Sequence, residues 1–231
     1  MLHKSHISNI EIYSEEWHTH RLGRFTSSRI VALMGDTGLT KGSLSYIDQK
    51  AGEFVAGQNN SPEDEEIDDE NTAWGVQYEP EALQVFGHSK GIKFIVVRKM
   101  IYAPDTQFSS TPDGIWMIES SLIKEDHVNV ASIEVKCPRK YPRFMPLYRC
   151  NTPEQLRKYE SRYYWQVLDQ MDNCNSVVGF FMCYHPLFPK GKNMKVIEFR
   201  KIDLWDDFRK LQQRKQQALV KFQEAVAEFR I

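Results

Sequence analysis

Thr111-Pro112-Asp113-Gly114 and, further on, Ile133-Glu134-Val135-Lys136-Cys137-Pro138 are the two runs on which the reading of this chain turns. Pro112 and Gly114 suit turn positions, and Pro138 ends a strand because it has no N–H to give the ladder. Along a strand alternate side chains share a face. Glu134 and Lys136 therefore point one way, while Ile133 and Val135 point into a core. One acid and one base stand side by side, and the turn offers a second acid, Asp113. Two carboxylates converging on one spot repel unless a cation joins them. Oxygen ligands of this kind suit Mg²⁺ or Mn²⁺, with the Val135 carbonyl as a further ligand. Lys136 can then position an attacking hydroxide, or stabilise the charge that builds on a phosphate. A lone Glu-x-Lys pair is more often a surface salt bridge, so other blocks have to carry the reading.

At 231 residues a single domain spanning 1–231 is expected, with length enough for one core. Apolar residues make up 41% and charged residues 26%, as in ordinary globular proteins. No long apolar run is free of charge, so neither a signal peptide nor a spanning helix is expected, and no membrane partner. Cys137, Cys150, Cys174 and Cys183 form no C-x-x-C pair. That argues against a zinc ribbon and for reduced thiols in a cytoplasmic protein.

The net charge of −1 hides an asymmetry. Glu63, Asp64, Glu65, Glu66, Asp68, Asp69 and Glu70 are seven acids within eight positions, and without them the chain carries +6. The run reads as a solvated acidic loop at about 61–70, with mimicry of DNA charge as the lesser option. Positive residues gather at Arg21–Arg29 and Lys136–Arg149, patches of the sort a phosphate backbone uses.

Ser14-Glu15-Glu16-Trp17 predicts a helix start that carries Arg21 and ends at Gly23. Thr26 or Ser27 then caps a second helix. Hydroxyls, helix N–H groups and Arg21, Arg24 and Arg29 make that region a ready anion site; ordinary capping with surface arginines is the bland alternative. A helix is predicted over Ser43–Val55, and another over 71–86. In the latter Glu79 lines up with Val76, Leu83 and Phe86, whereas Glu81 lines up with Gln77, Gln84 and His88 on a watery face. An acid on an apolar stripe needs a metal or a basic partner. Pro80 should kink this helix or restart it near Glu79.

Lys93–Tyr102, Ile115–Ile118 and Ala131–Cys137 predict strands, and a basic loop follows over 139–149. Pro153 to Met171 is predicted helical, with Tyr159, Tyr163, Gln166 and Gln170 on one face. Such a stripe can contact DNA or a water. Strands over Val177–Tyr184 and Met194–Ile202 precede a terminal helix at about 203–230, capped by Asp203.

Asp113 with Glu134-x-Lys136 resembles the core of the PD-(D/E)XK nuclease superfamily. Taken together, the blocks resemble the lambda exonuclease and YqaJ-type viral recombinase family. The blocks are Trp17-His18-x-x-Arg21-Leu22-Gly23 with Thr26-x-Ser28, Ala73-Trp74-Gly75-x-Gln77-Tyr78-Glu79, Ser110-x-Pro112-Asp113-Gly114, Glu134-x-Lys136-Cys137-Pro138, and Tyr163-x-x-Gln166-Val167 with Met171 beyond. Each is weak singly, but they follow the family's order from residue 17 to 171.

The resemblance implies an α/β fold with a restriction-endonuclease-like core, its mixed central sheet flanked by helices. It implies that Asp113, Glu134 and the Val135 carbonyl bind Mg²⁺, for which Mn²⁺ can substitute. Lys136 and Gln166 would handle the attacking water, and Glu79 would support the metal shell. Arg21 and Ser28 would hold the terminal 5′-phosphate of a double-stranded DNA end. Arg24, Arg139, Lys140, Arg143 and Tyr163 are candidate DNA contacts. The resemblance further implies a homotrimeric 5′-to-3′ exonuclease, phage- or prophage-encoded, acting in a bacterial cytoplasm and leaving 3′ overhangs for a single-strand annealing protein. An endonuclease or nickase of the same fold, or a non-catalytic end-binding protein, are the competing readings.

Overall fold

The structure, a computed structural model, describes residues 6–8, 10–58, 69–92, 95–97, 99–102, 107–117 and 130–229. Most of the acidic run therefore lies outside the described residues. The amino-terminal part holds β1 (His6–Ile7), α1 (Glu15–Arg21), β2 (Phe25–Thr26), a 3-10 helix (Ser27–Leu33) and α2 (Lys41–Ala56). After α3 (Asp69–Lys90) come β3 (Ile95–Val97), β4 (Ile101–Tyr102), β5 (Phe108–Ser110), β6 (Gly114–Met117) and β7 (Val130–Lys136). Helices α4 (Tyr141–Arg149), α5 (Pro153–Tyr159) and α6 (Ser161–Asn173) then lead to β8 (Val178–Tyr184), β9 (Met194–Arg200) and α7 (Trp205–Ala227).

The larger sheet is five-stranded and mixed, in the order β3-β6-β7-β8-β9, with only β7 and β8 parallel. A helix-bearing connection between β7 and β8 is what a parallel pair requires. The four-stranded sheet runs β1-β4-β5-β2. The expected α/β architecture with a mixed sheet flanked by helices is what the chain forms.

Strand β7 is covered on both faces. Ile133 and Val135 pack with Phe180 and Met182 beneath Ala82, Leu83 and Phe86 of α3. Phe181 and Cys183, on the other face, pack with Trp165 and Leu168 of α6 and with Phe208 and Leu211 of α7. Each large side chain fully buried this way contributes about 1.5–3 kcal/mol. The register pairs Glu134 with Phe181. The E-x-K face of β7 is thus the α6 side, and Glu134 is buried rather than turned to open solvent.

The chain passes from one sheet to the other at Thr111–Asp113, between β5 and β6. Gly114 makes that passage possible, because a Cβ there would stand 2.9 Å from Ile95 Cγ2 and 3.0 Å from Leu83 Cδ2. Gly23 closes the turn after α1 at φ +68°, and its N–H donates to Glu53 Oε2 over 3.2 Å.

Several boundaries differ from the sequence prediction. The run 93–102 is not one strand: β3 joins the larger sheet and β4 the smaller. Helix α3 continues through Pro80 without restarting. The predicted basic loop is largely α4, whose Pro142 lies in the first turn, where no N–H is needed. The helix predicted over 153–171 is two, broken at Glu160 (φ −144°, ψ 81°). Thr26 precedes the 3-10 helix without a side-chain capping bond. Helix α7 begins after Leu204, and Asp203 pairs instead with Arg200. Ser14 does cap α1, accepting from Trp17 N over 3.1 Å.

Candidate active site

The β6–β7 ladder ends at the pair Gly114–Ile133. Beyond it the Val135 N–H has lost its strand partner, and the Asp113 side chain takes that place, Oδ2 accepting over 2.7 Å. The turn residue is thereby anchored to the strand that carries the second acid. Glu134 is only 2% exposed, and its carboxylate is held from several sides. Oε1 accepts from Lys136 Nζ and, over 2.6 Å, from Gln166 Nε2. Oε2 accepts from Gln170 Nε2 over 2.5 Å. Gln166 and Gln170 are one turn apart on α6, so a single helix face delivers both amides.

Negative charge crowds Asp113. Burial pushes the Asp113 carboxyl well above the usual carboxylate range, and the negative charges of Glu134 and Glu79 push it further. Lys136 and the Val135 N–H act the other way without cancelling that push. Burial also works against the Lys136 ammonium, but Glu134 and Asp113 prevail and raise its pKa. Asp113 and Glu134 thus both act on the half-buried Lys136 ammonium, and Glu79 adds a third negative charge beside Asp113. Among the described residues no cluster of three or more His, Cys, Asp or Glu side chains is drawn together as a metal cage. What the site offers is one carboxylate on β7, Glu134, a second from the turn before β6, Asp113, and a backbone carbonyl at Val135. That donor set fits a hard divalent cation that keeps several waters.

Two cavities meet here. A small one, about 170 Å³, is lined by Arg21 and Ser28 on one side and by Glu79, Asp113, Gln166 and Gln170 on the other. A larger groove, about 830 Å³, is lined by Lys136, Arg139, Lys140, Arg143, Arg162 and Tyr163, with Glu79 and Val135 at its inner end. Arg21 stacks its guanidinium 4.1 Å from the Trp17 ring centroid. Ser28 is exposed and its hydroxyl lies 3.3 Å from that of Thr26. Tyr163 stacks on Phe181 with centroids 5.6 Å apart, and the Lys136 ammonium stands 5.3 Å from its ring.

The structure therefore brings together Arg21, Ser28, Glu79, Asp113, Glu134, Val135, Lys136 and Gln166, and sets Arg139, Lys140, Arg143 and Tyr163 along the adjoining groove. Arg24 is the exception. It lines neither cavity, and its guanidinium sits 5.4 Å from the Tyr102 ring, half-buried, with burial lowering its pKa. Arg139 also pairs with Glu70 at the start of α3. Sequence reasoning missed the role of Gln170, although its place on the Gln166 stripe was the available signal. It also missed Arg162 in the groove.

The profile of the YqaJ-like viral recombinase domain matches residues 16–175. No curated protein matches the chain by sequence. Among solved structures, the alkaline exonuclease from Laribacter hongkongensis superposes with a TM-score of 0.65 at 18% identity, over 93% of this chain and 95% of that one. The same enzyme in complex with dAMP gives 0.67 at 19% identity, over the same 93% and 95%. A phage-related exonuclease from Haemophilus somnus 129PT gives 0.64 at 14% identity, over 90% and 96%. At such identities the likeness is one of fold.

Proposed function

Since this chain belongs to the family of YqaJ-like viral recombinase domains, we propose that it is a metal-dependent exonuclease, a single nuclease domain that shortens linear double-stranded DNA from its 5′ ends and leaves 3′ overhangs. The observation that carries this reading is the shared cavity: Arg21 and Ser28 line the same small space as Glu79, Asp113 and Gln166. A site that merely cuts has no need of a second anion-binding pair in the same cavity. A site that works from an end does, because the terminal phosphate carries more charge than an internal diester and marks where the strand stops.

In this reading Arg21 and Ser28 grip the terminal phosphate, and the groove lined by Arg139, Lys140, Arg143 and Arg162 takes the backbone of the duplex. Asp113, Glu134 and the Val135 carbonyl would hold Mg²⁺ or Mn²⁺, with Glu79 supporting the shell. Such an ion supplies Lewis-acid neutralisation of the phosphate and lowers the pKa of water. Lys136, kept protonated by Glu134 and Asp113, faces the charge that develops on the phosphate. Gln166 pins Glu134 and is in reach of the attacking water. That one solved relative is an exonuclease in complex with dAMP, a mononucleotide, supports release of single nucleotides. By kinship alone we add a homotrimer, a phage or prophage origin, action in a bacterial cytoplasm, and supply of overhangs to a single-strand annealing protein. No helix among the described residues is long and apolar enough to cross a membrane.

The test is digestion of a linear 5′-phosphorylated duplex in Mg²⁺ and in EDTA, beside closed circular DNA. Shortening of the linear strand from its 5′ end in Mg²⁺ alone is expected, with circles spared. Cleavage of circles at a similar rate would replace the exonuclease with an endonuclease. Asp113→Ala and Glu134→Ala should abolish cleavage while DNA is still bound. Lys136→Ala should be inactive yet still bind Mn²⁺. Activity near wild type in either acid variant would remove the site assignment.

A further inference from the structure

Gln170 is 1% exposed and its Nε2 donates to Glu134 Oε2 over 2.5 Å. That bond fixes the orientation of the amide, since turned over it would set two oxygens against each other. Its Oε1 is consequently directed away from Glu134, a buried acceptor with no donor among the described residues. Ser110 presents a second such atom, a buried hydroxyl without a partner among the described residues. Both residues line the small cavity that also holds Arg21, Ser28, Glu79 and Asp113. Buried polar atoms left unpaired cost stability unless something in the cavity supplies the missing bond. Phosphates and carboxylates offer no proton to an amide oxygen. Water does, and it can pair with a serine hydroxyl as well.

We propose that Gln170 is a positioning residue of the hydrolytic site: its amide N–H fixes the distal oxygen of Glu134, and its amide oxygen holds a water between the acids and the end-binding residues. The inference rests on the nuclease reading above. It separates the two glutamines of α6. Gln166 shares Glu134 Oε1 with Lys136, whereas Gln170 alone sets Oε2, which accepts no other bond among the described residues. Oε2 thus retains a lone pair for the cation, and its aim depends on Gln170.

The experiment combines Mn²⁺ titration by calorimetry, without DNA, with steady-state kinetics on a 5′-phosphorylated duplex. Gln170→Met keeps the volume and removes both polar ends. It should weaken Mn²⁺ binding and lower kcat, each by roughly tenfold to a hundredfold, as loss of an outer-shell partner does. KM for DNA should stay within about twofold, and melting should fall modestly, because Glu134 Oε2 loses its donor while the unpaired amide oxygen is removed with the bond. Ser110→Ala, which reaches only the water, should lower kcat severalfold and leave Mn²⁺ affinity unchanged. If Gln170→Met is unstable, Gln170→Asn, which withdraws the amide by one methylene, should give the same two losses. Wild-type Mn²⁺ affinity and kcat in a folded Gln170 variant would overturn the proposal. A raised KM with unchanged kcat would also overturn it, making Gln170 a DNA contact. Should the wild-type protein itself neither bind Mn²⁺ nor cut DNA, the nuclease reading falls first and this inference with it.

Discussion

Tyr184 donates its hydroxyl to Glu81 Oε1 over 2.6 Å, tying the end of β8 to the outer side of α3. Two residues earlier, Glu79 turns the other way, lines both cavities and adds its charge to that felt by Asp113. The pair therefore separates cleanly by function. Glu79→Gln should lower the rate by roughly tenfold to a hundredfold, as for an outer-shell partner of a metal site. Glu81→Gln should cut at the wild-type rate. Glu81→Leu should keep activity but lose about 1 kcal/mol of stability, because the Tyr184 hydroxyl loses its acceptor. Rates on one duplex and urea denaturation of the three variants decide the matter. A sensitive Glu81 and a silent Glu79 would mean that α3 is turned differently about Pro80.

A second buried network lies behind the end-binding residues. Lys215 of α7 donates to Asp169 Oδ1 over 2.9 Å and to Asp172 Oδ2 over 2.8 Å, while Ser27 Oγ donates to Asp169 Oδ2 over 2.7 Å. Asp169 is fully buried, so removing Lys215 leaves its charge held only by neutral donors among the described residues, Ser27 and Asn173. Lys215→Met should cost about 3–5 kcal/mol. Lys215→Met combined with Asp169→Asn should recover part of that loss, since the stranded charge goes too. Chemical denaturation of the two variants reads the difference. Equal stability of single and double variants would show that the cation and Asp169 are not coupled.

The alkaline limb of stability should carry the mark of Tyr46. Burial raises its phenol to about 12, with Thr26, Arg29 and Arg21 pulling the other way. The unfolded chain releases this proton near pH 10.0 and the folded chain only near 12. Between these values the unfolded state binds fewer protons, so stability falls as pH rises, by about 3 kcal/mol across the window. The hydroxyl lies near Thr26 without a well-formed hydrogen bond. Tyr46→Phe should accordingly be neutral or slightly stabilising at pH 7 and flatten the limb between pH 10 and 11.5. Lys215, whose pKa Asp169 and Asp172 raise against the effect of burial, keeps a residual slope above about pH 10.5. Unfolding midpoints of wild type and variant from pH 7 to 11.5 provide the check. An unchanged slope would put Tyr46 in a more open setting.

The acids were legible because strand periodicity is strict: one glance at Glu134-x-Lys136 fixes which side chains share a face. That Glu134 would be buried was not legible, since its cover comes from α6, some thirty positions away. Helix arithmetic placed Glu79 and Glu81 correctly on different faces even though it mistrusted Pro80. It also put Gln170 on the Gln166 stripe, but a stripe says nothing of what stands opposite. Arg24 shows the converse failure. Clustering along the chain suggested a shared anion site, yet the turn at Gly23 sends Arg21 to the cavity and Arg24 to Tyr102. The break at Glu160 left no composition signal, because a polar residue is at home both within a helix and between two.

End recognition is the sharpest consequence of the shared cavity. Arg21 leaves the last turn of α1 with its guanidinium laid on the Trp17 ring, 4.1 Å from the centroid, so its fork is ordered before any ligand arrives. Ser28 adds a hydroxyl on the exposed side of the same cavity. A terminal phosphate monoester presents more charge and more acceptor oxygens to this pair than a 5′-hydroxyl or an internal diester. Duplexes ending in 5′-phosphate should therefore be degraded faster than otherwise identical duplexes ending in 5′-hydroxyl. Losing one charge-assisted contact costs about 1.5–3 kcal/mol, so Arg21→Ala should slow phosphorylated ends by roughly tenfold to a hundredfold. On hydroxyl ends it should match the wild type, because the acids and Lys136 are untouched. Arg21→Lys should fall between the two, keeping charge but losing the fork and the stacking. Initial rates on matched duplexes that differ only in the end group make the comparison. If wild type treats both ends alike, Arg21 is no more than a cap on α1, and the preference for linear DNA must come from the shape of the groove instead.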